Sequence, residues 1–568
     1  MNDISIVIAG SAGQGIETVA DFMASVLKHS GYHVYSTREF MSRIRGGTNS
    51  IQLRIHNDIL GAYTLRSDII IPLTVKALNH LKMYDRLQEN STIIIDESIA
   101  EKQENEKIRV KTAPLKEVAN EVGGAIYINT VAAGAVLSLF DINESLVSDY
   151  FNTRFGSKGK KVVENNMNAY TKGIQLGREL LKDTPHQITP GNQSGDGDLL
   201  ISGALAVALG AIAGGCNFIS SYPMSPSTGV LMYLSQKALD YGIIVDQAED
   251  EISAINKGLG AWYAGARAMV TTSGGGFALM NEGLSLAGIT ETPMVIHLAQ
   301  RPGPATGLPT RTEQGDLMYA LHAGHGEFPR IIYSPGSPTE AFNLTHSAFN
   351  MADEYQIPVI ILTDQYLLDS TYTCKSFDLT EVVTKKHITK TKLDYQRYKL
   401  TDSGVSPRGV PGYGAGLVRV DSDEHDENGN ITENLRLRVD MVEKRLRKYY
   451  LIREKAMPPT LINEDPKKIV VTWGSNYYCV REAMEKANIS GLGMLHFSQL
   501  YPLHKSVSQI LKQAENVFMV ENNATGQFAK LLHQETGYKI LPENQLLKYD
   551  GLPFPVEQVT RFLKEKTN

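Results

Sequence analysis

Three short stretches carry side chains that could do chemistry, and each follows an apolar run that reads as a strand. The first, Ser221-Tyr222-Pro223-Met224-Ser225-Pro226, is a proline-stiffened loop that offers hydroxyls. The second, Ala248-Glu249-Asp250-Glu251, opens a helical run containing Ala254, Gly258 and Ala261. The third, Gln300-Arg301-Pro302-Gly303-Pro304, presents a guanidinium, whose planar fork matches a carboxylate bidentately. A hydroxyl loop, a carboxylate and a guanidinium at successive strand ends occupy the place where an open α/β sheet keeps its ligand crevice. Each also has a plainer use. Glu249 could complement a helix dipole, Arg301 could form a rim salt bridge, and Asp250 and Glu251 read as solvated capping residues.

The elements that must position these groups alternate regularly. Strands are predicted near Phe218–Ser221, Ile243–Val245, Ala268–Thr272, Pro293–Leu298, Arg330–Tyr333 and Pro358–Thr363, with helical runs between most of them. That pattern predicts a doubly wound parallel sheet. It occupies 198–380 of a 568-residue chain. Before it lie a first α/β unit, 1–182, and a polar linker, 183–197; after it come an irregular connector with a charged helix, 381–466, and a last small α/β unit, 467–568.

Composition is globular, and the net charge of -6 with a pI near 6.2 argues against a nucleic-acid or anionic-membrane surface. The start Met1-Asn2-Asp3 lacks a basic n-region, so no signal peptide is expected. Leu199–Ile219 is almost free of polar groups, but its glycines and alanines suit a buried helix followed by a turn and a strand better than a membrane span. Cys216, Cys374 and Cys479 lack the spacing of a disulfide framework or a metal site and fit a reducing cytoplasm. No metal ligand set is assigned to this chain.

In the first unit, the buried strand Ile4–Ala9 runs into Gly10-Ser11-Ala12-Gly13-Gln14-Gly15 and then a helix. Free N–H groups and the helix dipole make such a turn a plausible anion site. The spacing is not G-x-G-x-x-G, and the second strand ends in Thr37-Arg38 rather than an acid, which argues against a nicotinamide site. A tight packing turn and a diphosphate-type ligand both remain open. Arg43-Ile44-Arg45-Gly46-Gly47 could grip an anion or lie in a solvated turn or an interface. Gly195-Asp196-Gly197 matches the start of a diphosphate/Mg²⁺ motif but lacks the buried strand that must precede it. The acidic run Asp421–Gly429 lacks EF-hand spacing and is expected to be a solvated loop.

Several segments in order resemble the alpha subunit of the 2-oxoacid:ferredoxin oxidoreductases, most closely the 2-oxoglutarate type, with a gamma domain fused at the N-terminus. Tyr222-Pro223-Met224-Ser225-Pro226 resembles that family's Tyr-Pro-x-Thr-Pro loop, and Thr272-Ser273-Gly274-Gly275-Gly276-Phe277 its Thr-Ser-Gly-x-Gly-Phe turn. Gln300–Thr310 and His325-Gly326-Glu327-Phe328-Pro329 are similar to its substrate-side segments. Gly10–Gly15 and Arg45-Gly46-Gly47 resemble the gamma domain, and Trp473-Gly474-Ser475 and Glu521–Gln527 a transketolase C-terminal-type domain.

The resemblance implies three α/β domains: a gamma-type domain, a pyrimidine-binding domain for thiamine diphosphate and a transketolase C-terminal-like domain. It implies oxidation of a 2-oxoacid with CoA to acyl-CoA and CO₂, with ferredoxin as acceptor. Glu249 would hold the proton shared with the cofactor's aminopyrimidine; it stands nine residues before Gly258, the offset this family's glutamate keeps. Arg301, Ser225, Tyr222 and Arg311 would face the substrate, and Pro223, Gly274 and Gly276 the cofactor. Ser225 stands where the family commonly has Thr and lacks the methyl that fixes its rotamer. Gly10, Gly13, Gly15 and Arg45 would form an anion or CoA-side loop. The Mg²⁺ and [4Fe-4S] sites are expected on a beta subunit, in an (alpha–beta)₂ assembly that this chain needs for activity. Two other readings, a dinucleotide-dependent dehydrogenase using the N-terminal glycine loop and a non-catalytic scaffold, are opposed by the missing acid and by the joint presence of Glu249, Arg301 and Ser225.

Overall fold

The computed structural model describes residues 3–41, 47–100, 108–184, 197–463 and 465–567. Arg45 and the rest of the basic segment at 42–46, as well as Gly195 and Asp196, lie outside them. Two compact units are present: the first comprises Met1–Ile201, Ser370–Ser376 and Pro555–Glu557, and the second holds the remainder.

The first unit is built on an eight-stranded mixed sheet. Its continuous apolar strand, Asp3–Ser11, sits between Ile69–Pro72, which runs parallel, and Thr48–His56, which runs antiparallel. The edge beyond His33–Glu39 is completed from far along the chain, by Thr371–Cys374 and Leu199–Ser202. Both strands are four residues long, and sequence alone placed neither in this sheet. The helix Ile16–His29 buries Val19, Phe22, Met23, Val26 and Leu27 on one face, at the i, i+3, i+4, i+7 spacing that an amphipathic helix requires.

The second unit contains the sheet that carries the candidate site. Its strand order is Gln499–Tyr501, Ile331–Tyr333, Pro358–Asp364, Met294–Gln300, Ala268–Thr272, Phe218–Ser221 and Ile244–Gln247. Every pairing is parallel except that of Gln499–Tyr501, which comes from the carboxy-terminal region. Val270, Ile296 and Ile360 are wholly buried in the central strands, each worth roughly 1.5–3 kcal/mol. Such runs have no alternation because helices cover both faces. After Phe218–Ser221 the chain first adds a strand on one side and then on the other, so the strand order reverses there.

The apolar stretch 199–219 resolves into the strand Leu199–Ser202, the helix Gly203–Ala213 and the strand Phe218–Ser221. Among the described residues, no helix is long and apolar enough to cross a membrane. The helix packs on Pro338–Tyr355 so closely that a Cβ on Gly210 would lie 2.4 Å from the Phe342 carbonyl oxygen. Small residues here permit backbone approach.

The third sheet is five-stranded, ordered Thr460–Ile462, Leu492–Phe497, Lys468–Trp473, Asn516–Glu521 and Gln545–Leu547. Between it and the central sheet in sequence runs a long connector with little regular structure, held by buried charge. Glu291 receives Lys444 Nζ at 2.6 Å and Lys448 Nζ at 2.5 Å, with all three side chains almost wholly buried. Arg397 donates to the Glu291 and Thr290 carbonyls. Burial pushes the Glu291 carboxyl up, but the two ammonium groups and Arg397 outweigh it and hold it far below the usual carboxylate range. The run Asp421–Gly429, expected to be a solvated loop, is exposed at Ser422, Asp423 and Asn428 and tied down at Glu424 and His425. Glu424 pairs with Arg445 at 2.9 Å and with Arg438, and His425 is buried against the Tyr398 ring at 3.8 Å. Glu424 thus ties the loop to the helix Leu435–Glu454, while Asp426 accepts from Asn428 and Asn430 within the loop.

Candidate active site

The loops after four adjacent parallel strands meet around the point where the strand order reverses. After Phe218–Ser221 come Tyr222, Pro223 and Ser225, all exposed, with a cis peptide at Ser225–Pro226. After Met294–Gln300 comes Arg301, half-buried, whose Nη1 donates to the Ser225 carbonyl oxygen at 2.7 Å. The guanidinium and the hydroxyl loop are thus joined directly. Beneath them His297 is buried between Thr271 Oγ1 at 2.7 Å and Thr363 Oγ1 at 2.8 Å, and burial pushes it down to about 3, so it is neutral.

Glu249 is exposed and precedes the helix, which runs Glu251–Tyr263 with Asp250 as its N-cap. Asp250 Oδ1 accepts from the Ser253 N–H at 2.7 Å, so Asp250 is the capping acid. Glu251, expected to be solvated, is only 3 % exposed, and its Oε1 is buried with no hydrogen-bond partner among the described residues. A Cβ on Gly276 would stand 2.5 Å from that oxygen and 2.1 Å from Thr272 Oγ1, so only glycine leaves the carboxyl room. A dry carboxyl without a partner is costly and marks a position made for a ligand.

A second orphaned carboxyl lies nearby and was not singled out from sequence. Asp316 Oδ2 is buried and unpartnered among the described residues, and a Cβ on Gly274 would lie 2.6 Å from it. Thus Gly274 and Gly276, two residues apart, each make space for one acid. The Asp316 backbone N–H donates to Gln300 Oε1 at 2.9 Å. Burial pushes the Asp316 carboxyl up to about 6 against the opposing charge of Arg301, and burial together with Asp316 pushes Glu313 up to about 7.

Arg311 lies farther along this segment, its Cβ 3.2 Å from where a Cβ on Gly551 would stand. His325-Gly326-Glu327-Phe328 lines a separate cavity of about 680 Å³ with Glu282, Gly288 and Arg438, and Arg301 is not part of its wall. In the first unit, the turn Ser11–Gly15 is closed by Gln14 Oε1, which accepts the Ser11 N–H at 2.6 Å. Gly13 and Gly15 have φ of 84° and 75°, and a cavity of about 630 Å³ opens behind them, lined by Thr18, Phe22, Asn129 and Phe151. Gly10 has no room for a side chain, because a Cβ would fall 2.6 Å from Gln14 Oε1.

Comparison with known proteins places the chain in a family. Residues 209–444 match the family described as "Pyruvate flavodoxin/ferredoxin oxidoreductase, thiamine diP-bdg", and residues 5–176 match "Pyruvate ferredoxin/flavodoxin oxidoreductase". The chain is 32 % identical to 2-oxoacid:ferredoxin oxidoreductase 2, subunit alpha, of Aeropyrum pernix, over 97 % of this chain and 96 % of that one. It is 26 % identical to the 2-oxoglutarate oxidoreductase subunit KorA of Mycobacterium tuberculosis, over 99 % of this chain and 91 % of that one. Among solved structures it is similar to 2-oxoglutarate:ferredoxin oxidoreductase from Magnetococcus marinus, with a TM-score of 0.93, 30 % identity and full coverage of both chains; that structure has 2-oxoglutarate, coenzyme A and succinyl-CoA bound. The fold and site therefore define an oxidoreductase subunit with a thiamine diphosphate-binding domain. The chain belongs to the alpha subunits of the 2-oxoacid:ferredoxin oxidoreductase family.

Proposed function

We propose that this chain supplies one half of the active site of a 2-oxoglutarate:ferredoxin oxidoreductase and works with a beta subunit. The observation that carries this reading is the buried, unpartnered Glu251 Oε1, set at a strand-end crevice beside Gly276 and within the same loop cluster as Arg301. Thiamine diphosphate fits that carboxyl, because a protonated ring nitrogen would supply the hydrogen bond it lacks. When bound, the cofactor supplies the electron sink for decarboxylating a 2-oxoacid.

Glu251 would share a proton with the aminopyrimidine, and its dry surroundings would strengthen that hydrogen bond. The role expected for Glu249 passes to Glu251, since an exposed carboxylate is screened by water. Arg301 would grip the carboxylate of the 2-oxoacid, and Ser225 and Tyr222 would line its approach. Arg311 is the cation proposed for the distal carboxylate. Pro223, Gly274 and Gly276 would shape the cofactor wall. The diphosphate, Mg²⁺ and [4Fe-4S] cluster would belong to the beta subunit, and ferredoxin would take the electrons. The anion-ready turn at Gly10, Gly13 and Gly15 would serve the CoA side. The names of relatives support 2-oxoglutarate as substrate, and three buried free thiols suit a reducing cytoplasm.

Arg301→Met tests the substrate role. Losing a charge-assisted bidentate contact should raise the KM for the 2-oxoacid roughly 10- to 100-fold, with the KM for CoA unchanged. Steady-state kinetics of the complex with beta would show it, and an unchanged 2-oxoacid KM would remove Arg301 from the site. A panel of 2-oxoacids in the same assay should place 2-oxoglutarate first in kcat/KM.

A further inference from the structure

Resting on that reading, we infer that Gln314 is a positioning residue through which the carboxy-terminal sheet holds the Asp316 carboxyl at the Arg301 end of the site. The segment Thr312–Asp316 has no regular secondary structure of its own. Gln314 is wholly buried, and each of its polar groups is engaged by that sheet's two strand-end loops. Its side-chain Nε2 donates to the Trp473 carbonyl at 3.2 Å, while Oε1 accepts from Asn476 Nδ2 at 2.9 Å and from the Asn522 N–H at 3.1 Å. Its backbone N–H donates to the Asn522 carbonyl at 2.7 Å, and its carbonyl accepts from Asn523 Nδ2 at 3.2 Å. Gln527 continues the seam on either side of Asp316, donating to the Gly315 carbonyl at 2.7 Å and accepting from the Met318 N–H at 2.9 Å.

These contacts account for segments that no ligand explains. Trp473-Gly474-Ser475-Asn476 and Glu521–Gln527 form the grip that sets the backbone of 313–318. Glu521 braces the grip itself: its buried carboxyl accepts the N–H groups of Phe528 and Ala529 at 2.9 and 2.8 Å and that of Asn523 Nδ2 at 2.7 Å. What the grip delivers is Asp316. Asp316 occupies the N-cap position of the helix Leu317–His322, yet its side chain caps nothing and leaves Oδ2 unpartnered beside Gly274. Its N–H bond to Gln300 Oε1 at 2.9 Å sets it next to Arg301, on which its charge acts without a direct ion pair among the described residues. A shift of the segment would therefore change the field at the group that receives the substrate anion, although Gln314 touches neither.

The test uses the full chain assembled with its beta subunit, reading CoA-dependent reduction of a low-potential dye. Wild-type turnover on a 2-oxoacid, measured first, tests the functional reading; the variants then test Gln314. Gln314→Met keeps the length and removes the polar contacts, and should raise the KM for the 2-oxoacid about tenfold while the KM for CoA stays put. Thr472→Val is the structural control: it removes the buried bond from Thr472 Oγ1 to the Val520 carbonyl within the same sheet, and should lower Tm with the 2-oxoacid KM unchanged. A Gln314→Met complex with lowered Tm and wild-type KM overturns the inference, and so does an equal KM rise in Thr472→Val. Should Gln314→Met fail to assemble, Asn476→Ala removes one bond to Oε1 and should raise the KM about threefold; an unchanged KM there overturns it equally.

Discussion

Glu251→Gln is expected to lower kcat of the assembled complex by about 10²- to 10⁴-fold, the range for removing a positioned proton-transfer group. Glu249→Gln should leave kcat within about twofold, because a surface charge two residues away contributes little. The pair is informative because both substitutions neutralise one acid in the same three-residue run. Glutamine fits the Glu251 position in size and can still hydrogen-bond, so loss of turnover with assembly intact would isolate the proton-holding role. Stopped-flow or steady-state dye reduction, with thermal melting to check assembly, would read it. Intact turnover in Glu251→Gln would remove this residue from the chemistry.

The second large effect concerns stability. Glu291→Gln should cost about 3–5 kcal/mol, because it strands two ammonium groups in a dry interior. Lys444 and Lys448 are at most 1 % exposed, so water cannot replace the lost partner. The acid limb of the pH dependence has a definite sign. The folded carboxyl is held below its ordinary value, so the unfolded chain takes up the proton first as pH falls. Its stabilisation is complete above roughly pH 5 and erodes as pH drops below about 4.3, the unfolded value. Thermal unfolding of wild type and Glu291→Gln should therefore differ most near neutral pH and converge in acid. A gap that widened below about pH 4 would show that the lysines do not set this carboxyl.

How far the sequence could be read follows the range of the interactions concerned. Continuous apolar runs such as Ile69–Ile71 and Val359–Leu362 identify buried parallel strands, because burial on both faces leaves no alternation. The four-residue strands Leu199–Ser202 and Thr371–Cys374 show no such signal, since their partners lie far off in the chain. At the site, Arg301 and the Ser225 loop were legible as groups following strands. Glu249 and Glu251 were not separable by offset, because Gly258 follows the first by nine residues and Gly260 the second. A helical signal could have separated them. The buried stripe Ala254, Ile255, Gly258, Leu259 and Trp262 extends back in steps of three and four to Glu251 and misses Glu249. Gln314 gave no local sign, since its partners at Trp473, Asn476 and Asn522 lie more than 150 residues away.

The half-site itself is tested most directly by dye reduction with 2-oxoglutarate, CoA and thiamine diphosphate, with and without a beta subunit. This chain alone is expected to give no turnover, and the complex with beta is expected to turn over and to require all three. Robust turnover by this chain alone would contradict the account.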